Sequence, residues 1–221
     1  MNNFTVTETC KNIRGLGRQG LKGNWPIAIA GALLSVILVS VPGYFIETFI
    51  EGEAGFEAFL LNMESLLIGA PVTLGLSMFM ISLFRQNETR IGQIFEGFEY
   101  FTKAVALRFV ISLFILLWTF CLIIPGLIAA IKYSQAFYIL AEDPSKGVMQ
   151  CIEESKWMMK DNKLKYFSLL LSFFGWAVLA AIPVGLGYIW LVPYVNMTQV
   201  AFYELVSGKL RLNVLEEMID G

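Results

Sequence analysis

Two short polar clusters interrupt long apolar runs and hold the side chains best suited to chemistry. One is Lys132-Tyr133-Ser134-Gln135; the other is Asn196, Thr198 and Gln199, with Glu204 a little further on. An amine, a phenol, hydroxyls, amides and a carboxylate in apolar surroundings could line a path for an ion or small polar solute. Ionisable groups at membrane depth are costly and often mark such paths. The sequence therefore nominates Lys132, Tyr133, Gln135, Asn196, Thr198, Gln199 and Glu204 as an intramembrane polar seam, with the two clusters facing each other. The plainer account, which is favoured, is interhelical hydrogen bonding worth about 0.6 kcal/mol per contact, with Lys132 snorkelling to an interface.

Other chemistry finds less support. There is no histidine, which removes triads with a His base, most zinc sites and His-ligated haem. Cys10, Cys121 and Cys151 are far apart and imply no disulfide framework. Gly15-Leu16-Gly17-Arg18-Gln19-Gly20 matches G-x-G-x-x-G, but no strand precedes it and no βαβ unit surrounds it, so a dinucleotide site is rejected. Those glycines are expected to loosen or end an N-terminal helix. The N-x-S/T matches at Asn3, Asn87 and Asn196 fall in the cytoplasm or the membrane and are chance. Glu142-Asp143 could suggest paired catalytic carboxylates, but capping accounts for Asp143 and no third group supports a reaction. No catalytic, cofactor-binding or metal-ligating residue is nominated, and the chain is not expected to be an enzyme.

The elements that position these residues are membrane helices. The 221 residues are 57% hydrophobic and 15% charged, with a mean hydropathy of +0.65. Soluble domains hold about 25% charged residues. Apolar runs cover about 25–45, 63–84, 104–141 and 166–206. The last two are too long for single crossings of a hydrocarbon core about 30 Å thick, and each divides at a proline segment, Pro125-Gly126 and Pro183 to Gly187. The expectation is an all-α, polytopic membrane protein forming one domain over 1–221. Six transmembrane helices make three hairpins, about 25–84, 104–142 and 166–206, between a segment 1–24 and a tail 207–221. Residues 46–62 read as an acidic outer loop. All 16 Lys and Arg except Lys132 fall on one side or in the half-membrane facing it. By the positive-inside rule this places both termini in the cytoplasm.

Each hairpin's first helix is expected to end at an outward proline: Pro42, Pro125 or Pro183. Trp25 and Tyr166 each stand 17 residues before their proline, which suggests a threefold repeat. Interfacial anchors alone would give the same pattern. Cytoplasmic amphipathic helices are expected between hairpins. One shows Ile91, Ile94, Phe95, Phe98, Phe101 and Val105 on a face. The other starts at an Asp143 N-cap followed by Pro144 and shows Val148, Cys151, Ile152, Ser155, Met158 and Met159. Such helices can lie among headgroups or pack on the bundle. The small pairs Ala28/Ala32, Gly31/Ser35, Ala177/Ala181 and Ala181/Gly185 suit close helix packing.

The chain resembles an uncharacterised bacterial family of integral membrane proteins, domain-of-unknown-function family 975. The resemblance lies in Leu117-Trp118 through Ile124-Pro125-Gly126, Tyr133-Ser134, Ala141-Glu142-Asp143-Pro144, Ser155-Lys156-Trp157-Met158-Met159, Leu171-Ser172-Phe173-Phe174-Gly175-Trp176, Pro193-Tyr194 and Phe202-Tyr203. It implies a multi-pass protein of the bacterial cell membrane and assigns no activity. The functional expectation is a non-enzymatic scaffold or accessory component, in envelope or lipid homeostasis. The alternative is a transporter of a small solute or lipid through the seam between helices four and six. The expected partners are the lipid bilayer, with anionic inner-leaflet lipid at its basic segments, and a membrane-protein partner or a second copy. No cofactor and no nucleic acid are expected.

Overall fold

A computed structural model describes residues 4–49, 54–182 and 185–210 of the chain. The described residues are helical, with no strand among them. In chain order the helices are α1 (Cys10–Gly20), α2 (Trp25–Phe49), α3 (Ala54–Glu64), α4 (Ala70–Phe84), α5 (Gln93–Glu96) and α6 (Phe101–Cys121). They continue as α7 (Ile123–Tyr133), α8 (Ala136–Glu142), α9 (Val148–Met158), α10 (Lys163–Ala181) and α11 (Tyr188–Val206). A π-helical turn, Ser65–Gly69, joins α3 to α4.

Five segments are long and apolar enough to cross a membrane: Trp25–Phe49, Gly55–Phe84, Phe101–Phe120, Ile123–Glu142 and Lys163–Ala181. Large side chains on them face outward, including Phe45, Phe109, Phe120, Leu171 and Phe174. So much exposed apolar surface suits hydrocarbon rather than water, and the protein is membrane-embedded in character. α11 is not among the five. It carries Asn196, Thr198, Gln199 and Glu204, and from Met197 to Val206 only Gln199 is not buried. Its neighbours cover it, so its own surface need not match lipid.

The turns differ from the expectation. α2 runs through Pro42 and ends only at Phe49. The expected acidic loop 46–62 is largely helix, since Glu47 lies in α2 and Glu57 in α3; Glu51 and Glu53 lie outside the described residues. The α6–α7 hairpin turns at Leu122, whose φ of −167° and ψ of 149° break the helix. Pro125 then sits in the first turn of α7, where its missing N–H is no loss. Gly126 lies against Thr119 across that hairpin. Pro183 and Val184 lie outside the described residues, as do residues 211–221 of the tail.

Packing relies on small residues. Without a hydrophobic force between helices in lipid, close van der Waals contact must hold them together. Ala28, Gly31, Ala32 and Ser35 form the buried stripe of α2, with Gly31 against Phe79 of α4, as the first two small pairs suggested. α10 and α11 pair antiparallel: Tyr166 meets Phe202, Phe173 meets Tyr194 and Gly187 meets Ala180. Here the expected pairs fail, because Ala180 is buried and Ala181 is exposed.

The segments expected beside the membrane join the bundle. Gly17 lies against Thr198 and Gly20 against Met197, both midway along α11. Gly20 ends α1, as expected, while Gly17 and Gly20 bring the helix onto α11 rather than loosening it, and Ile13 is fully buried there. α5 is only Gln93–Glu96, and Ile94 alone of the expected 91–101 face is buried; Ile91, Phe95, Phe98 and Phe101 point outward. The Ile94 carbonyl presses on Gly75, and Gly97 lies on the backbone of Pro71. α9 keeps its expected face, with Cys151, Ile152, Ser155 and Met159 buried and Lys156 and Lys160 exposed. It does not start at Asp143. The Ser145 hydroxyl and amide both donate to Asp143, at 2.5 and 3.1 Å, forming a turn. The Ser145 bonds, with Lys146 and Lys103 nearby, hold that carboxyl below its usual value against the opposing effect of desolvation. α9 begins at Val148, with the Gly147 N–H donating to Gln150 Oε1 at 2.9 Å.

Between α7 and α8 the helix breaks at Ser134-Gln135, which frees backbone groups that lipid could not satisfy. Ser155 of α9 fills the gap. Its hydroxyl donates to the Lys132 carbonyl at 2.8 Å and accepts from the Gln135 N–H at 3.2 Å. Asn162, between α9 and α10, holds residues 4–6: it donates to the Phe4 carbonyl and accepts from the Val6 N–H, at 2.9 and 2.8 Å.

Candidate functional site

A cluster of charged side chains forms where α4, α8 and α11 end together. Each member is at or near a helix terminus, so a polar head can gather there while the helix body stays apolar. Arg85 follows the last residue of α4, Glu142 is the last residue of α8, and Tyr203 and Glu204 belong to the last turn of α11. Gly208, at φ +79°, then turns the chain in a conformation that favours glycine. That turn returns Lys209 towards Glu142.

The Arg85 guanidinium bridges both acids. Its Nε donates to Glu204 Oε1 at 2.9 Å, and its Nη2 lies 2.7 Å from the same oxygen. Nη2 also donates to Glu142 Oε1 at 2.5 Å. Lys209 pairs with the same Glu142 oxygen. The Tyr203 hydroxyl donates to Glu142 Oε2 at 2.6 Å. Two cations thus balance two carboxylates, and Glu204 is buried among them. Tyr203 stacks on Tyr138 with ring centroids 5.6 Å apart, and the Tyr138 hydroxyl donates to Gln199 Oε1 at 3.1 Å. The polar chain therefore runs from Lys209 inward to Gln199.

Beyond Gln199 the buried polar groups turn back on their own helices. Thr198 donates to the Tyr194 carbonyl, Ser77 to Thr73 and Ser35 to Gly31, at 2.8, 2.8 and 2.9 Å. Phe79, Met80, Met197 and Val200 are fully or almost fully buried around them. Chemically, the arrangement can clamp three helix ends. Among the described residues no group of three His, Cys, Asp or Glu side chains could hold a metal ion.

The seven nominated seam residues take separate places. Glu204 joins the charged cluster, and Gln199 joins it through Tyr138. Thr198 is buried against α1, and Asn196 borders an apolar groove between α7, α10 and α11. On the other side, the Lys132 ammonium lies over the Trp118 ring, 5.8 Å from its centroid. Tyr133 packs on Phe114, ring centroids 5.8 Å apart, and the buried Gln135 donates to Ser134 at 2.9 Å. The two nominated clusters do not face each other as a seam; α8 reaches α11 through the Tyr138 bond to Gln199, beside the Tyr138–Tyr203 stack. Sequence reasoning missed Arg85, Tyr138, Tyr203 and Lys209, and it set Glu142 aside. The available signal was the single charges at helix ends, of both signs, bordering apolar runs.

No curated protein and no solved structure matches the chain. Residues 120–209, which carry Glu142, Tyr203, Glu204 and Lys209, match the family described as "Protein of unknown function (DUF975)". That matching segment, which runs from the end of α6 through α11 to Lys209, is what the chain shares with the family.

Proposed function

We propose that the protein is a non-enzymatic, multi-pass component of the bacterial cell membrane, a scaffold or accessory in envelope or lipid homeostasis. In this reading α11 is a sixth, central span, both termini are cytoplasmic, and three hairpins are clamped together at the cytoplasmic face. The observation that carries it is the balanced cluster of Arg85, Glu142, Glu204 and Lys209, whose polar chain ends at Gln199. A transporter needs a polar path across the bilayer. Here the buried hydroxyls beyond Gln199 bond within their own helices, which favours a closed bundle presenting a fixed face. The exposed Lys156 and Lys160 of α9 are placed to meet anionic headgroups.

Two measurements test this. Reporter fusions at residue 55 and at the C-terminus should report opposite sides; the same side for both overturns the topology. Affinity purification with lipid analysis should recover a reproducible protein partner, and proteoliposomes should show no solute flux. Flux without a partner overturns the scaffold reading in favour of transport.

A further inference from the structure

We propose that a groove between α1, α2, α10 and α11 binds one anionic phospholipid, with its phosphate on Arg18 and an acyl chain along the aromatic wall. The groove has a volume of about 390 Å³ and is lined by Arg18, Trp25, Trp176, Leu179, Trp190 and Tyr194, among others. That volume lies within the usual range for small-molecule sites and holds a headgroup with the first part of a chain.

Among the described residues lining the groove, Arg18 is the only ionisable group apart from the phenol of Tyr194. It is exposed, takes part in no ion pair among the described residues, and lies over the Tyr194 ring at 5.7 Å from the centroid. One turn earlier on the same helix, Arg14 reaches α10: it donates to the Ser172 carbonyl at 3.4 Å and lies over Phe173. A guanidinium bordering apolar surface in a membrane protein needs an anion, and its planar fork suits a phosphate. Three of the chain's five tryptophans, Trp25, Trp176 and Trp190, line this one groove and give it an aromatic wall suited to an acyl chain. The charge is therefore complementary to a phosphate and the wall to a hydrocarbon chain. A soluble anion would leave the wall uncovered, a lipid without phosphate would leave Arg18 unpaired, and a zwitterionic lipid would bring its own cation beside the guanidinium.

The inference rests on the membrane reading above, and the two fail separately: reporter fusions test the topology, and lipid retention tests the groove. The full chain is purified in mild detergent, loaded from mixed vesicles of phosphatidylglycerol and phosphatidylcholine, washed, and weighed intact by native mass spectrometry. One phosphatidylglycerol is expected to stay bound, in preference to phosphatidylcholine. Arg18→Ala should reduce its retention about tenfold, the usual scale of one charge-assisted hydrogen bond. Arg18→Lys should retain it in part, Trp190→Ala should release it, and Lys11→Ala, on another part of α1, should change nothing. Thermal unfolding confirms that each variant is folded; if Arg18→Ala is not, Arg18→Gln takes its place. Equal retention of the two lipids, undiminished retention in the folded Arg18 variant, or displacement by millimolar inorganic phosphate overturns the proposal.

Discussion

Removing Arg85 should open the helix-end clamp, with most of the loss arising at Glu204. The guanidinium supplies both short contacts to that buried carboxylate. Glu142 is better protected, because Lys209 and Tyr203 still reach it. Breaking a buried ion pair from one side costs about 3–5 kcal/mol, since the remaining charge is left uncompensated. The Arg85 side chain is 33% exposed, so water can enter where it stood, and the lower end, about 3 kcal/mol, is expected. At roughly 2–4 °C per kcal/mol for a chain of this length, Arg85→Ala should lower Tm by roughly 6–12 °C in detergent micelles or bicelles. The decisive comparison is a double-mutant cycle. Glu204→Gln alone should cost less, and Arg85→Ala/Glu204→Gln should recover at least about 1.5 kcal/mol of the summed losses, because residues in one buried network are coupled. A change below about 0.5 kcal/mol for Arg85→Ala, or strict additivity in the cycle, would refute the clamp.

Three further outcomes follow from the packing. Gly75→Ala puts a methyl into the Ile94 backbone, whereas Gly15 has nothing within 4 Å of an added Cβ. The first should destabilise by about 2 kcal/mol or more and the second should stabilise by about 0.5 kcal/mol, both read from thermal unfolding. Ser155→Ala strips both partners from the break between α7 and α8 and should cost about 1–3 kcal/mol; hydrogen exchange should show the Gln135 amide losing protection first. Burial, with the charge of Glu154, pushes the Cys151 thiol up to about 11, against the pull of Lys146. A raised pKa keeps the thiol protonated, so at pH 8 the thiolate fraction is on the order of 0.001. In a Cys121→Ser background, a maleimide should modify the partly exposed Cys10 promptly and Cys151 only on unfolding.

Local pattern was enough for the helices. Runs such as 104–141 have no polar face to turn to water, so hydropathy and length alone announce membrane helices, and an amphipathic spacing announced the buried face of α9. Pattern was weaker at the joints. Sequence pattern suggests turns at Pro42 and Pro125, yet one lies inside a helix and the other in the first turn of one, because a membrane helix can hold a proline in either place and neighbouring helices settle the choice. The same holds for Gly17 and Gly20: their spacing says only that a backbone can come near, and α11 is what comes near.

The sequence by itself determined that the chain is helical, rich in lipid-facing surface, and marked by single charges at helix ends. Only the tertiary structure decided which charges meet. Arg85 lies 57 residues from Glu142 and 119 from Glu204, and no local periodicity reaches that far. It also decided that α11, polar for a membrane helix, is wrapped by its neighbours. Hydropathy measures what a helix could face, and packing fixes what it does face.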